Sequence, residues 1–471
     1  MEKFFKLKEH NTTAKVEIMA GLTTFFAMAY IIFVNPTMLS TPANLMGDAV
    51  LSGQIYNAVF FATCISAFVG TILMGLLAKM PFAQASGMGL NAFFAYTVML
   101  QLGFSFQEAL ALVFISGILF ILITVVGLRE AIVRAIPNNV KIAISGGIGL
   151  FIAYLGLRNA GLVVNSDATG VALLDFTQIY KVPEMKVAVI GTILAFAGLI
   201  LMAVLYHLKV KGSILISIAA VTIVGIPFGV TQIPHGVFSN FGTNFANQWN
   251  DFIHTGLFAF VDGFKTLFEG KSFGGAIFTI IVIVISFSLV DMFDTIGTLL
   301  GTARKANLLD ENGNMPGMKN ALLCDAIATT TGAMLGTSTV TTYVESAAGI
   351  GEGAKTGLAS CVTALMFLLA IPFAPFIGIV PAVATAPALI FVGALMLMNL
   401  KELDYSDLTE LFPAFLTIAM MPMTASIANG IAFGLISYTL VKLCTGKVKE
   451  VKPLTAVLSL LFILRFFIMA M

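Results

Sequence analysis

The sequence predicts an all-α polytopic membrane protein of about fourteen transmembrane spans, arranged as two inverted seven-span repeats. Three observations carry that expectation. Of 471 residues, 58% are hydrophobic and only 10% charged, against about 25% charged in soluble domains. Apolar runs long enough to cross a bilayer follow one another along nearly the whole chain. Lysine and arginine, finally, gather in alternate loops.

The same composition excludes other classes. Two or three soluble domains of this length would need far more polar surface, so a soluble enzyme is ruled out. Disorder is ruled out too, because Gly 43 and Pro 15 are scattered through apolar runs. No basic stripe interleaved with aromatics is present, and nucleic acid is not an expected partner. Cys64, Cys324, Cys361 and Cys444 lie in apolar stretches without metal-ligand spacing. Neither disulfides, nor a zinc site, nor any other cofactor is expected.

Residues 1–16 are basic, but no short apolar run with a small-residue cleavage site follows them, so no signal peptide is expected. Spans are expected at 17–38, 53–78, 82–101, 106–128, 139–157, 186–206 and 213–231. A polar, aromatic-bearing linker, 232–274, holds the sole Trp249, an expected interfacial anchor. Further spans are expected at 275–301, 320–335, 338–350, 356–379, 383–399, 410–425 and 427–445. A last apolar element, 454–470, either crosses the membrane or lies in its interface.

Placing the N-terminus in the cytoplasm puts most basic residues inside, from Lys3, Lys6 and Lys8 through Arg129, Arg134, Lys209 and Lys211 to Lys442, Lys447 and Lys452. The outer loops then hold only Arg158, Lys181, Lys186, Lys265 and Lys271. An odd number of crossings on each side of the linker forces the halves into opposite orientations, the arithmetic of an inverted repeat.

Two segments read badly as ordinary spans, and each is third in its half. In PFAQASGMGLNAFFAY, Pro81, Gly87 and Gly89 interrupt the helix pattern before Leu90. GTSTVTTYVESAAGIG opens with Thr337, Thr339, Val340, Thr341 and Thr342 and turns helix-like only afterwards. Interrupted segments in corresponding positions of two halves point to a transporter's binding site. Backbone of that kind survives at membrane depth only where protein or a polar cavity satisfies it. The half-helices that follow would aim free N–H groups at the midplane.

Carboxylates inside spans are few: Asp291, Asp294, Asp325 and Glu345. Each costs about 2.5–3.5 kcal/mol on insertion scales, so several together need a compensating use. Asp291 and Asp294 share a helix face, with Thr298 one turn beyond. Their functional reading is a bound polar ligand, a proton, or both; the alternative is internal hydrogen bonding. Asn91, just past the first break, suits a ligand and equally a helix cap. Thr23 and Thr24 are the hydroxyl pair of the first span, where back-bonding to the helix is the commoner role. Gly146-Gly147-Ile148-Gly149 has no strand–helix alternation around it and is not read as a dinucleotide loop. Gly297 to Gly301 and Gly332 to Gly336 have spacings suited to close helix packing. His10, His207, His235 and His254 fall in loops or at span ends, away from a midplane proton relay.

At these residues the chain resembles the AzgA-like purine permeases, a branch of the nucleobase–cation symporters related to the nucleobase–ascorbate transporters. The matching stretches are AGLTTFFAMAYIIFVNP, GMGLNAFFAY, IPNNVKIAISGGIGLFIAYLG, FSLVDMFDTIGTLLGTA and TSTVTTYVESAAGI. The resemblance implies a core domain from 17–128 and 275–379 and a gate domain from 129–231 and 380–445, with 446–471 as a C-terminal segment. It implies a short strand before the half-helix in both broken segments. It assigns substrate binding to Glu345 and Asp294, and further polar positions to Asp291 and Asn91. Where uracil and xanthine relatives carry a Gln–His pair, this chain has Thr23 and Thr24, which favours the purine branch. The implied function is import of hypoxanthine, guanine or adenine by proton symport across a bacterial-type cytoplasmic membrane. Substrate contacts are expected at Glu345, Asp294, Asn91 and Thr24, and a proton shared by Asp291 and Asp294. The expected partners are a purine nucleobase and the lipid bilayer, with a homodimer a candidate assembly. Competing readings are an anion exchanger of the sulfate-permease type, which would want a cationic site, and a membrane-embedded enzyme, for which no nucleophile–base pair is present.

Overall fold

The structure, a computed structural model, describes residues 2–127, 136–167, 169–182, 185–233, 239–268, 273–305, 315 and 317–468. Arg129, Arg134, His235 and Lys271 lie outside these residues, as do the surroundings of Gly297 and Gly301.

Helices dominate, and local sequence explains where they begin. Thr13 accepts a hydrogen bond from the Val16 N–H at 3.3 Å and caps Ala14–Met28. The chain tightens at Ala29–Tyr30 and continues as Ile31–Leu45, with Pro36 and Pro42 inside it. Asp48 caps Ala49–Leu73, which loosens into a π-helical turn at Met74–Ala78. Ser105 and Glu108 close a capping box at the start of Phe106–Val126. Asn138–Asn159, Lys186–His207 and Ser213–Gly225 complete the first half.

The 232–274 linker is itself structured, with helices Phe241–Asp251 and Phe260–Thr266. Trp249 packs edge-on against Phe61 at 5.2 Å, so the linker leans on the Ala49–Leu73 helix. The second half holds Phe273–Lys305, Met318–Leu335, Gly357–Ala370, Ala382–Leu397, Leu408–Met423 and Ile427–Cys444, followed by Pro453–Ile468. Among the described residues, 9 helices are long and apolar enough to cross a membrane, and Ser213–Gly225, Leu408–Met423 and Pro453–Leu464 are shorter apolar helices.

Helices from the two halves pack on one another through glycine. A Cβ on Gly393 would fall 2.3 Å from the Gly149 carbonyl, and one on Gly156 would fall 2.7 Å from Ile390 Cγ1. Close approach of this kind is how helices associate where lipid removes the hydrophobic drive between them. The Gly146–Gly149 run therefore serves helix contact, Gly149 facing Ala382–Leu397 and Gly147 facing Ile418 and Met421 of Leu408–Met423. Leu408–Met423 and Ile427–Cys444 join that group. A second group gathers Ala14–Met28, Ala49–Leu73, Phe106–Val126, Met318–Leu335 and Gly357–Ala370.

An ion cluster around the buried Lys442 fastens the C-terminal segment. Lys442, 1% exposed, meets Glu410 at 2.8 Å and Glu450 at 2.5 Å, while Lys447 meets Asp407 at 2.7 Å. It joins Leu408–Met423 and Ile427–Cys444 to the segment that leads into Pro453–Ile468.

Candidate functional site

The two interrupted segments meet each other. Strand β1 (Gln84–Ser86) precedes the helix Met88–Ala92, and β2 (Val163–Ser166) and β3 (Gly170–Leu173) form a separate hairpin. Strand β4 (Val340–Thr342) runs antiparallel to β1, with Gln84 opposite Thr342 and Ser86 opposite Val340. Gly87 N–H donates to the Thr339 carbonyl and Tyr343 N–H to the Ala83 carbonyl, both at 2.9 Å, lengthening the ladder at each end.

Two strands leave outer edges unpaired, and hydroxyl side chains cover them. Thr71 Oγ1 accepts from Gln84 N–H and donates to the Gln84 carbonyl, each at 2.9 Å. Ser346 Oγ accepts from Ala83 N–H at 3.0 Å, and Thr329 Oγ1 donates to the Val340 carbonyl at 3.0 Å. This is how extended backbone is tolerated inside a membrane protein. Gly87 and Gly332 make room: a Cβ would fall 2.5 Å from Thr341 Cγ2 at the first and 2.8 Å from Val340 Cγ2 at the second.

The carboxylates divide around this crossing. Glu345 stands between β4 and the helix Ser346–Gly351, partly exposed, and accepts a 2.7 Å hydrogen bond from the Tyr30 hydroxyl. Asp294, also partly exposed, lies in the same electrostatic neighbourhood as Glu345, Tyr30 and Tyr343. Asp291, one turn earlier, is buried and accepts from Thr329 Oγ1 at 3.1 Å. Asp325 is buried behind the strands and accepts from Thr295 Oγ1 at 2.8 Å and Gln84 Nε2 at 3.2 Å. The structure thus gathers Glu345 and Asp294 on one side of the strands, and places Asp291 and Asp325 among the hydroxyls that hold them.

Asn91 is fully buried, and its side-chain oxygen accepts from the Ser338 hydroxyl, so this amide links the two broken segments. Its Nδ2 has no partner among the described residues. Thr24 is buried against the short helix after Glu345: its Oγ1 lies 2.1 Å from where a Cβ on Gly349 would sit. Thr23, by contrast, back-bonds to the Met19 carbonyl at 2.9 Å. One expectation changes. The first N–H groups of Ser346–Gly351 are not free, because Ser346, Ala347 and Ala348 donate to the carbonyls of Tyr343, Val344 and Glu345. The turn tightens to i−3 bonds, and the polar groups left over belong to side chains.

Several neighbours of the site carry no motif in the sequence. Tyr30 and Tyr343 are buried tyrosines, and the Tyr343 hydroxyl donates to the Ser86 carbonyl at 2.5 Å. A tyrosine inside an apolar run was the signal, since a buried phenol needs a partner. Asn35 donates to Thr63 and Thr337 at 2.7 and 2.8 Å. Lys186–His207 packs on Ala382–Leu397 and so joins the other helix group; it brings Tyr206 into the electrostatic neighbourhood of Glu345, with Phe391 packed edge-on against that ring at 5.0 Å.

Residues 15–433 match a family model described as a permease family. The chain is 42% identical over 466 residues to a putative permease of Methanocaldococcus jannaschii, covering 99% of this chain and 98% of that one. It is 39% identical to the guanine/hypoxanthine permease PbuO of Bacillus subtilis, covering 99% and 100%. It is 38% identical to the adenine permease AdeP of Escherichia coli, covering 99% and 95%. Among solved structures, the transmembrane domain of the cyanobacterial bicarbonate transporter BicA aligns with a TM-score of 0.58 at 14% identity, over 88% of this chain and 96% of that one. SLC26A9 aligns with a TM-score of 0.54 at 14% identity, over 91% and 65%. At such identity the likeness is one of fold alone. The chain is a multi-pass membrane protein that belongs to the permease family, in the purine-permease branch its motifs resemble.

Proposed function

We propose that this permease imports purine nucleobases together with protons, by alternating access. The observation that carries the reading is the set of polar groups left over at the crossing. Glu345 and Asp294 can accept, and the buried Asn91 Nδ2, without a partner among the described residues, can donate. Guanine presents two adjacent N–H donors and a carbonyl on one flat edge, the complement of that set, and hypoxanthine presents one N–H beside its carbonyl on the same edge. The relatives named for guanine/hypoxanthine and for adenine support this substrate class. In this reading Glu345 is the bidentate anchor, Asp294 a second contact and Asn91 the donor to the carbonyl. Thr24 backs the helix after Glu345, and Asp291 and Asp294 share the coupling proton. A carboxylate pair three residues apart resists ionising together in low dielectric.

The 9 long apolar helices, Ser213–Gly225, Met318–Leu335, Leu408–Met423 and the two broken segments then make about fourteen crossings, as inverted repeats with the N-terminus cytoplasmic. The group around Ala49–Leu73 is the core and the group around Asn138–Asn159 the gate. The core is built from 17–128 and 275–379, the gate from 129–231 and 380–445, with 232–274 as the outer linker. An anion exchanger on the same fold would want a cation where this chain supplies carboxylates and hydroxyls.

The test is uptake of labelled hypoxanthine by purine-transport-deficient cells expressing the chain, with and without a protonophore. Guanine, adenine, xanthine and uracil are the competitors. Protonophore-sensitive uptake, blocked by guanine and not by uracil, is the expected result. Absence of uptake of any purine, with the protein verified in the membrane, would reject the substrate class.

A further inference from the structure

The structure assigns Tyr30 a role in recognition: we infer that it is the positioning residue that holds the Glu345 carboxylate turned toward the nucleobase. This rests on the proposed role of Glu345 as purine anchor. Tyr30 sits where the first membrane segment tightens between Ala14–Met28 and Ile31–Leu45, with Phe33 and Val34 N–H groups both donating to its carbonyl. Its side chain is 0% exposed. The one polar atom on the ring would be costly to bury alone. It is spent on Glu345 Oε1, at 2.7 Å.

The alternative fate of that carboxylate shows why the contact matters. Glu345 occupies the N-cap position of Ser346–Gly351, from which a short acidic or hydroxyl side chain commonly bends back to the first N–H groups. Glu345 makes no such bond. Ser346 and Ala347 N–H groups are taken by the carbonyls of Tyr343 and Val344, and the side chain is drawn to Tyr30 instead. One oxygen is thereby fixed, and the plane of the carboxylate with it. The residue's own backbone N–H also reaches the carboxylate, and of its four lone-pair positions two remain to accept parallel N–H bonds, which demand a defined carboxylate plane.

The choice of donor matters as well. A lysine or arginine in this place would neutralise Glu345 and compete with the ligand. Glu345 has no ion pair among the described residues. A phenol orients the carboxylate and leaves its charge for the substrate's N–H groups. The phenolic oxygen keeps a lone pair of its own, adding an acceptor beside the carboxylate.

The experiment is equilibrium binding of labelled guanine and hypoxanthine to purified, monodisperse protein in four forms: wild type, Tyr30→Phe, Glu345→Gln and the double variant. Tyr30→Phe is expected to weaken binding about tenfold, the scale of a hydrogen bond to a charged group, and to change it less than about twofold when Glu345 is already Gln. A fifth form, with 4-aminophenylalanine at position 30, keeps the ring and a donor. It is expected to retain most of the affinity, which separates orientation of the carboxylate from filling of space. Equal losses with Phe and with 4-aminophenylalanine would overturn the assignment, as would the same loss from Tyr30→Phe in both backgrounds. Full affinity in Tyr30→Phe beside a large loss in Glu345→Gln would overturn it while leaving the anchor intact. Unchanged affinity in Glu345→Gln would remove the anchor and the assignment together.

Discussion

Asp291 and Asp294 differ by less than one helical turn yet face different surroundings, and their variants should differ accordingly. Asp294 is partly exposed and shares an electrostatic neighbourhood with Glu345, Tyr30 and Tyr343. Asp291 is buried, and the hydroxyl that reaches it, Thr329, also reaches the Val340 carbonyl on β4. Asp294→Asn is therefore expected to weaken purine binding about tenfold or more, as loss of a charged acceptor from the site. Asp291→Asn is expected to leave binding within about threefold and to abolish protonophore-sensitive accumulation. Binding to purified protein and uptake by cells, measured side by side, check both. Accumulation by Asp291→Asn that stays fully protonophore-sensitive would exclude Asp291 from coupling.

At the scale of elements, the helix Ser346–Gly351 transmits the position of Glu345, and what fixes that helix is its contact with Ala14–Met28. Gly349 permits the contact: an added Cβ would lie 2.1 Å from Thr24 Oγ1 and 2.6 Å from the Ala20 carbonyl. Gly349→Ala must push the helix away, at a cost of about 1–3 kcal/mol for an overpacked contact. Purine binding should fall at least tenfold. Thr24→Ala combined with Gly349→Ala should restore only part of it, because the backbone clash at Ala20 persists. Affinity of the single variant equal to wild type would show that the helix tolerates displacement. The sequence marked where these elements break, since proline, glycine and hydroxyl runs are local signals. It could not show that the breaks pair with each other, because the β1–β4 ladder joins residues more than two hundred positions apart. The same holds for Tyr30 and Glu345: each is visible alone, and only folding makes them one unit. The free half-helix N–H groups read from the second break were lost to a local tightening at Tyr343–Glu345 that residue pattern does not encode.

For the whole molecule, the proposed alternating access requires contacts between the two helix groups that form and break at low cost. Lys211 and Glu352 fit that requirement. Lys211 follows the helix Lys186–His207, Glu352 ends the helix that begins beside Glu345, and their charged groups meet at 2.9 Å. The side chains are 48% and 40% exposed, so solvent screens the pair and its worth to stability is below about 1 kcal/mol. Compare Lys442, whose ammonium is buried among acids within one group and has a fastening role. In the composition both lysines counted alike as inner-loop charges, because burial is a property of packing and not of local sequence. Lys211→Glu is expected to leave the melting temperature of the purified protein nearly unchanged while slowing uptake severalfold, since two like charges now oppose closure on that side. Glu352→Lys should do the same, and exchanging the two residues should restore most of the rate. Uptake by the exchanged pair no faster than by either single variant would mean that the ion pair is incidental to movement of one helix group against the other.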